Sequence, residues 1–132
     1  MVTTSAADRR QQAKEEYDAF LERCPSRQVL EMITNKWVCL VVSALAPGPS
    51  RHSDLARTIA GVSQKMLTQT LRRLERDGLV TRRVTAQVPV RVDYGLTPLG
   101  HDFAAVVGQV KRWAEGHINE IHDARRSYDA RG

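Results

Sequence analysis

The chain has 132 residues, with 20 Lys or Arg against 15 Asp or Glu, a formal net charge of +5 and two cysteines. That length builds one hydrophobic core with appendages; no apolar run approaches the ~20 residues that span a bilayer, and residues 1–10 lack the apolar stretch of a secretory signal, so a cytoplasmic protein with no membrane association is expected. Cys24 and Cys39 are too few for a disulfide framework and fit no zinc-binding spacing, so both are read as reduced thiols.

In chain order, residues 6–22 carry good helix formers, with Ala13, Tyr17, Phe20 and Leu21 falling on one face. Cys24-Pro25 ends that segment. Pro25 and Ser26 then open a second helix in which Leu30, Ile33, Trp37, Leu40 and Ala44 recur at spacings of three and four, predicting one continuous helix that Pro47-Gly48-Pro49 stops. Ser53, as an N-cap, opens a short helix over residues 54–60 with Leu55, Ala56 and Ile59 turned inward, and Gly61 supplies a turn. Another helix runs from an N-cap at Ser63 to Arg76, and Asp77-Gly78 closes it because glycine enters the left-handed region without a Cβ clash.

Two β-rich runs follow, residues 79–85 and 91–96, in which Val80, Val84, Val92 and Tyr94 alternate with polar residues. They predict a hairpin with Pro89 in its loop. Thr97-Pro98 is an N-cap followed by proline at the first helical position, so a last helix runs to about Ile121, and residues 125–132 are expected to fray. Along it Phe103, Val106, Val110, Trp113 and His117 recur at heptad spacing, and Val107, Ala114, Ile118 and Ile121 widen the stripe. So broad a face exceeds what one small core covers. The expected interface with a second copy therefore comprises Tyr17, Phe20, Phe103, Val106, Val110, Trp113, His117 and Ile121, against the plainer reading that the helix packs wholly on its own domain.

The excess charge is concentrated. Residues 50–95 hold nine Lys or Arg against four acids, and the remainder balances at eleven of each sign, a distribution that points one surface at a polyanion. In the helix after Ser63, Lys65, Thr68, Gln69, Arg72 and Arg76 form a polar stripe opposite Leu67, Leu71 and Leu74. Arg and Lys pair with guanine edges or phosphates, Gln pairs with adenine, and the threonine methyl contacts that of thymine, while a helix fits the major groove of B-form DNA. Charge stripes on surface helices are ordinarily just solvated; the short helix ahead and the basic hairpin behind favour nucleic acid. The expected DNA-binding set is Ser53, Ser63, Gln64, Lys65, Thr68, Gln69, Arg72, Arg73, Arg76, Arg82, Arg83 and Arg91, although Arg82 and Arg83, adjacent on a strand, cannot both point at DNA.

An enzyme would need Cys24, His52 or His101 to assemble with a carboxylate, yet no nucleophile motif or phosphate-binding glycine loop is present, so no catalytic residue is assigned. His101, His117 and His122 lack i, i+4 metal spacing, and no metal or cofactor is expected.

Over residues 24–113 the sequence resembles the HxlR-type winged helix-turn-helix transcriptional regulators of bacteria. The resemblance rests on an ordered set: Cys24-Pro25, Lys36-Trp37, Arg51 with Leu55, the run from Gly61 through Val62, Ser63, Gln64, Lys65, Met66, Leu67 and Thr68, then Leu71, Leu74 and Glu75. Asp77-Gly78-Leu79-Val80, Arg82, Pro89, Arg91-Val92, Tyr94, Leu96-Thr97, Gly100 and Trp113 complete it. Departures are Asn35 in place of the usual glycine, His52 of phenylalanine, Thr85 of tyrosine, Val90 of a second proline and Asp93 of glutamate.

The resemblance implies a mainly α fold with a small β-hairpin wing (α+β), a winged helix-turn-helix with dimerisation helices at both termini. Its expected divisions are residues 1–23 for the first dimerisation helix, 24–97 for the DNA-binding domain, 98–123 for the second dimerisation helix and 124–132 for a flexible tail. It implies a homodimeric regulator, acting as a repressor on a pseudo-palindromic double-stranded operator. Several such regulators sense electrophiles or oxidants through the cysteine at the place of Cys24. A thiol just outside a helix N-terminus, near Arg23 and Arg27, is physically suited to that, though a packing thiol is the plainer alternative; Cys39, within an apolar helix, reads as core. A small-molecule effector walled by Trp37 and Trp113 is the other expected switch. The rival function is a nonspecific architectural DNA-binding or protein-interaction module on the same fold.

Overall fold

The computed structural model describes residues 4–132, which form two compact units, one ending at Asn35 and the other spanning Lys36–Gly132. In the first unit, α1 (Ala6–Arg23) opens with a capping box: the Asp8 N–H donates to Ser5 Oγ at 3.0 Å, and the Ser5 N–H donates to the Asp8 carboxylate at 3.4 Å. It ends at Cys24, held extended (φ −68°, ψ 122°) because the ring of Pro25 excludes the helical conformation from the preceding residue. Pro25 then takes the first position of α2 (Pro25–Ile33), where its missing N–H costs nothing.

The continuous helix expected from residue 25 to residue 44 is instead two helices, α2 and, in the second unit, α3 (Lys36–Leu45). At the break the Thr34 hydroxyl donates to the Glu31 carbonyl at 2.9 Å and the Asn35 N–H to the Met32 carbonyl at 3.2 Å. These local bonds compete with the helical ladder, whereas apolar periodicity alone is blind to them.

The second unit continues with β1 (Ser50–Arg51), α4 (His52–Thr58), α5 (Gln64–Arg76), β2 (Val80–Thr85), β3 (Arg91–Leu96) and α6 (Pro98–Asp129). Val38, Val41, Val42 and Leu45 of α3 pack with Leu55, Leu67, Leu71, Leu74, Val80, Phe103 and Val107 as its core; each such side chain contributes about 1.5–3 kcal/mol on burial. Two expectations shift at α4. Its N-cap is Arg51, not Ser53, because β1 carries the chain in extended form up to that residue, and the helix ends at Thr58 rather than at 60.

The hairpin also gains a strand. The sheet is antiparallel in the order β1-β3-β2, with Ser50 opposite Tyr94 and Arg51 opposite Asp93. A two-residue strand has no period to read, so β1 exists only through its partner.

Helix α5 closes with a Schellman arrangement: the Leu79 N–H donates to Leu74 O at 2.9 Å and that of Gly78, at φ +77°, to Glu75 O at 3.1 Å. The start of α6 is anchored on this turn. Thr97 Oγ1 accepts the Gly100 N–H at 2.9 Å and donates to the Gly78 carbonyl at 2.6 Å, and the Thr97 N–H donates to Leu79 O at 3.0 Å. Gly100 sits so close to this turn that a Cβ there would lie 2.0 Å from the Leu79 carbonyl oxygen. Helix α6 then persists to Asp129, so residues 125–129, expected to fray, are helical; Arg126 pairs with Asp123 and lies in the last turn, where a cation suits the helix dipole. Nor does α6 stand apart from the winged domain at residue 98: Phe103 and Val107 belong to its core.

Candidate nucleic-acid interface

The Ser63 hydroxyl caps α5 by accepting the Met66 N–H at 3.1 Å. Leu67, Thr70, Leu71 and Leu74 are buried, which leaves Gln64, Lys65, Gln69, Arg72, Arg73 and Arg76 exposed around the opposite side. The helix therefore offers cations and amide groups on a rigid element anchored by leucines. Ser53 is exposed near the start of α4.

Thr68 stands apart from the expected base-reading set. It is half-buried, and its hydroxyl shares a hydrogen bond of 3.0 Å with His52 Nε2, on the preceding helix.

The antiparallel register sorts the wing. Arg82 lies opposite Tyr94, and Arg83 opposite Asp93, so the two arginines project from opposite faces. Arg82 and Tyr94 share a niche of about 250 Å³ with Thr68, Arg72 and Glu75 of α5. Arg83 faces the other way, into a cleft it shares with Pro49 and His101. Of the two, Arg82 stands beside the exposed face of α5.

Arg91 donates from Nε to the Asp93 carboxylate at 2.9 Å, an interaction that raises its pKa. With Arg51, His52, Ser53, Gln64 and the loop residue Gln87 it borders a second cleft, of about 400 Å³, where α4, α5 and the wing tip meet. Arg51, His52, Gln87 and Tyr94 were not in the expected set. Arg51 and His52 are brought to this surface by β1, and Gln87 by the hairpin loop, none of which has a periodic signature.

Among residues expected to pair two copies, Phe103 is buried in the core of its own unit and so does not offer an outer face. Val106, Val110 and Trp113 are exposed on α6, Trp113 by 58%, and His117 and Ile121 are half-buried. The rings of Trp113 and His117 stack at 4.5 Å, and His117 Nδ1–H donates to the Trp113 carbonyl at 2.7 Å. In the first unit Tyr17 and Phe20 are both exposed. Trp37 is half-buried beneath the Lys36 ammonium, 4.6 Å from its ring centroid.

Cys24 is half-exposed at the N-cap of α2. Its sulfur makes no capping bond of strict geometry, yet the nearby backbone N–H of Arg27, and next that of Ser26, lower its pKa against the opposing effect of desolvation. Arg27 acts here through its N–H; its guanidinium is paired with Glu31 at 3.3 Å. Cys39 is half-buried, and desolvation raises its pKa.

The family described as HxlR-like helix-turn-helix matches residues 32–122. The chain is 45% identical over 110 residues to the HTH-type transcriptional regulator YtfH of Escherichia coli (strain K12), itself uncharacterized, covering 83% of this chain and 87% of that one. Among solved structures it is similar to the redox regulator HypR in its reduced form, with TM-score 0.71 and 34% identity over 76% of this chain and 99% of the other. It is also similar to the diamide-treated form of YodB from B. subtilis, with TM-score 0.61 and 35% identity over 70% and 93%.

Proposed function

The chain belongs to the HxlR-like helix-turn-helix family of winged-helix transcriptional regulators, and on that footing we propose that it binds a specific double-stranded operator as a homodimer and represses transcription. The observation that carries this reading is the face of α5, where Lys65, Gln69, Arg72 and Arg76 stand exposed opposite three fully buried leucines, with Arg82 of β2 beside them. Such a helix enters a major groove, reads base edges and leaves the wing to grip the backbone. The exposed stripe of Val106, Val110 and Trp113 on α6 supports pairing of two copies. A two-fold dimer then reads two half-sites of a pseudo-palindrome about one helical turn apart.

The test is selection of a site from random DNA, followed by competition between that site and unrelated duplex at physiological salt. A specific regulator prefers its site by roughly three orders of magnitude or more, whereas equal affinity would mean a nonspecific architectural protein. A reporter driven from that site distinguishes repression from activation.

Its signal is proposed to be thiol modification at Cys24. The lowered pKa of that thiol supports this, as does similarity to a protein named a redox regulator and to one solved after diamide treatment. In the diamide reaction two thiols, Cys24 and a second, give up two electrons and two protons to the reagent and join as a disulfide. Cys24→Ser abolishes the diamide response of operator binding on this reading. A retained response would move the reactive thiol to Cys39, whereas a native protein whose operator binding is indifferent to diamide would favour the alternative, a noncovalent effector near Trp37 and Trp113.

A further inference from the structure

Thr58 of α4 and Thr70 of α5 turn their hydroxyls back along the helix and donate to the carbonyls four residues earlier, Asp54 O at 2.9 Å and Met66 O at 2.8 Å. Thr68, on the same helix as Thr70, does otherwise. Its hydroxyl shares the 3.0 Å bond with His52 Nε2, sixteen residues away at the start of α4. A helical threonine divides between two χ1 wells that place Oγ1 and the methyl differently, and a bond back to the preceding turn competes for the hydroxyl. At Thr68 it is His52 that holds the hydroxyl, so His52 decides where the methyl stands.

The place of Thr68 on α5 gives this a consequence. Gln64, Thr68 and Arg72 follow one another at intervals of four, so they form one line along the helix, and the outer two are exposed. Gln64 borders a cleft with His52, and Arg72 borders a niche with Thr68. His52, itself half-buried, thus tethers the middle of that line from the neighbouring helix. With its hydroxyl engaged, Thr68 has a methyl left to offer, and a methyl is the group that meets the 5-methyl of thymine in a major groove.

Resting on the reading of α5 as the helix that enters the major groove, we propose that His52 is a positioning residue for base recognition: it holds the Thr68 hydroxyl so that the methyl meets a thymine in each half-site. His52 touches no base in this arrangement and acts through Thr68.

The test uses the full-length chain and the operator selected from random DNA. Deoxyuridine replaces each thymine in turn, in both half-sites, which removes the 5-methyl and nothing else. At one such position the native chain is expected to lose about fourfold in affinity per half-site. Thr68→Ser, which keeps the hydroxyl and lacks the methyl, no longer distinguishes the two bases there. His52→Phe, similar in size and unable to hydrogen-bond, brings the ratio toward one, whereas His52→Gln, whose amide bonds the hydroxyl, retains it. Each comparison is a ratio of two affinities of one variant, so a change in stability cancels. Without DNA, three-bond couplings to the Thr68 methyl in the 13C,15N-labelled chain report its rotamer, which is expected to change in His52→Phe and not in His52→Gln.

A native chain that selects no site would overturn the operator reading and this proposal together. A selected site at which no thymine responds, a response that survives Thr68→Ser, a full response or an unchanged rotamer in His52→Phe, or equal losses in His52→Phe and His52→Gln would overturn this proposal alone.

Discussion

His52 Nε2 and Thr68 Oγ1 share a hydrogen bond of 3.0 Å that links the first helix of the helix-turn-helix pair to the middle of the second. It engages the hydroxyl of Thr68 and leaves the methyl as the part of that side chain most available to a base. His52→Ala and Thr68→Val are each expected to lower stability by about 1 kcal/mol. In urea denaturation the double variant should lose less than the sum, because either change already breaks the bond. Additive losses would show that the pair is not coupled.

On the recognition face, Gln69→Ala and Arg72→Ala are expected to cost about 1–3 kcal/mol of operator affinity each and to relax base preference. Fluorescence anisotropy on the selected operator and on its point variants measures both quantities. In the wing, Arg82→Ala is expected to weaken binding more than Arg83→Ala, since only Arg82 shares a niche with Arg72. The reverse order would move the DNA-facing side of the sheet.

Gly100→Ala tests the anchor of α6. The added methyl would meet the Leu79 carbonyl oxygen at 2.0 Å, and backbone on both sides leaves little room to yield. A loss of about 1–3 kcal/mol is expected from such overpacking, read as a lower thermal midpoint. Gly116→Ala, on an open stretch of the same helix with nothing within 4 Å, should instead stabilise slightly, by up to about 1 kcal/mol.

The two thiols should separate in pH. Backbone N–H groups lower the Cys24 pKa and desolvation raises that of Cys39, and only the thiolate reacts. Iodoacetamide labelling followed by mass spectrometry should therefore rise at lower pH for Cys24 than for Cys39. Coincident profiles would remove the electrostatic basis for sensing at Cys24.

For self-association, Val110→Asp places a charge in the exposed apolar stripe of α6, where Val110 is 49% exposed. Sedimentation should change from dimer to monomer with the helical circular dichroism retained. A variant that remains dimeric would place the interface elsewhere.

Much of the fold is legible in the residues themselves. Ser63 and Thr97 cap the helices they were expected to cap, Gly61 and Gly78 take positive φ, and the leucines of α5 are buried beneath its basic stripe. Each of these follows from interactions within one or two turns of chain, which a pattern of three and four, or a cap residue beside it, records directly. The break at Thr34-Asn35 is equally local but is marked by one side-chain bond from Thr34 and one backbone bond from Asn35 that apolar spacing does not register.

The sequence by itself determined which helix presents a basic face, where the hairpin lies and that neighbouring arginines on its strand must diverge. Only the tertiary structure decided that Arg82 and not Arg83 joins α5, that β1 exists, that Phe103 turns into the core and that Thr68 is held by His52. These depend on which distant segments meet: strand register, the seat of α6 on the Gly78-Leu79 turn, and a side-chain pair sixteen residues apart. Local periodicity carries no record of such partners, because they are chosen by the packing of the whole unit.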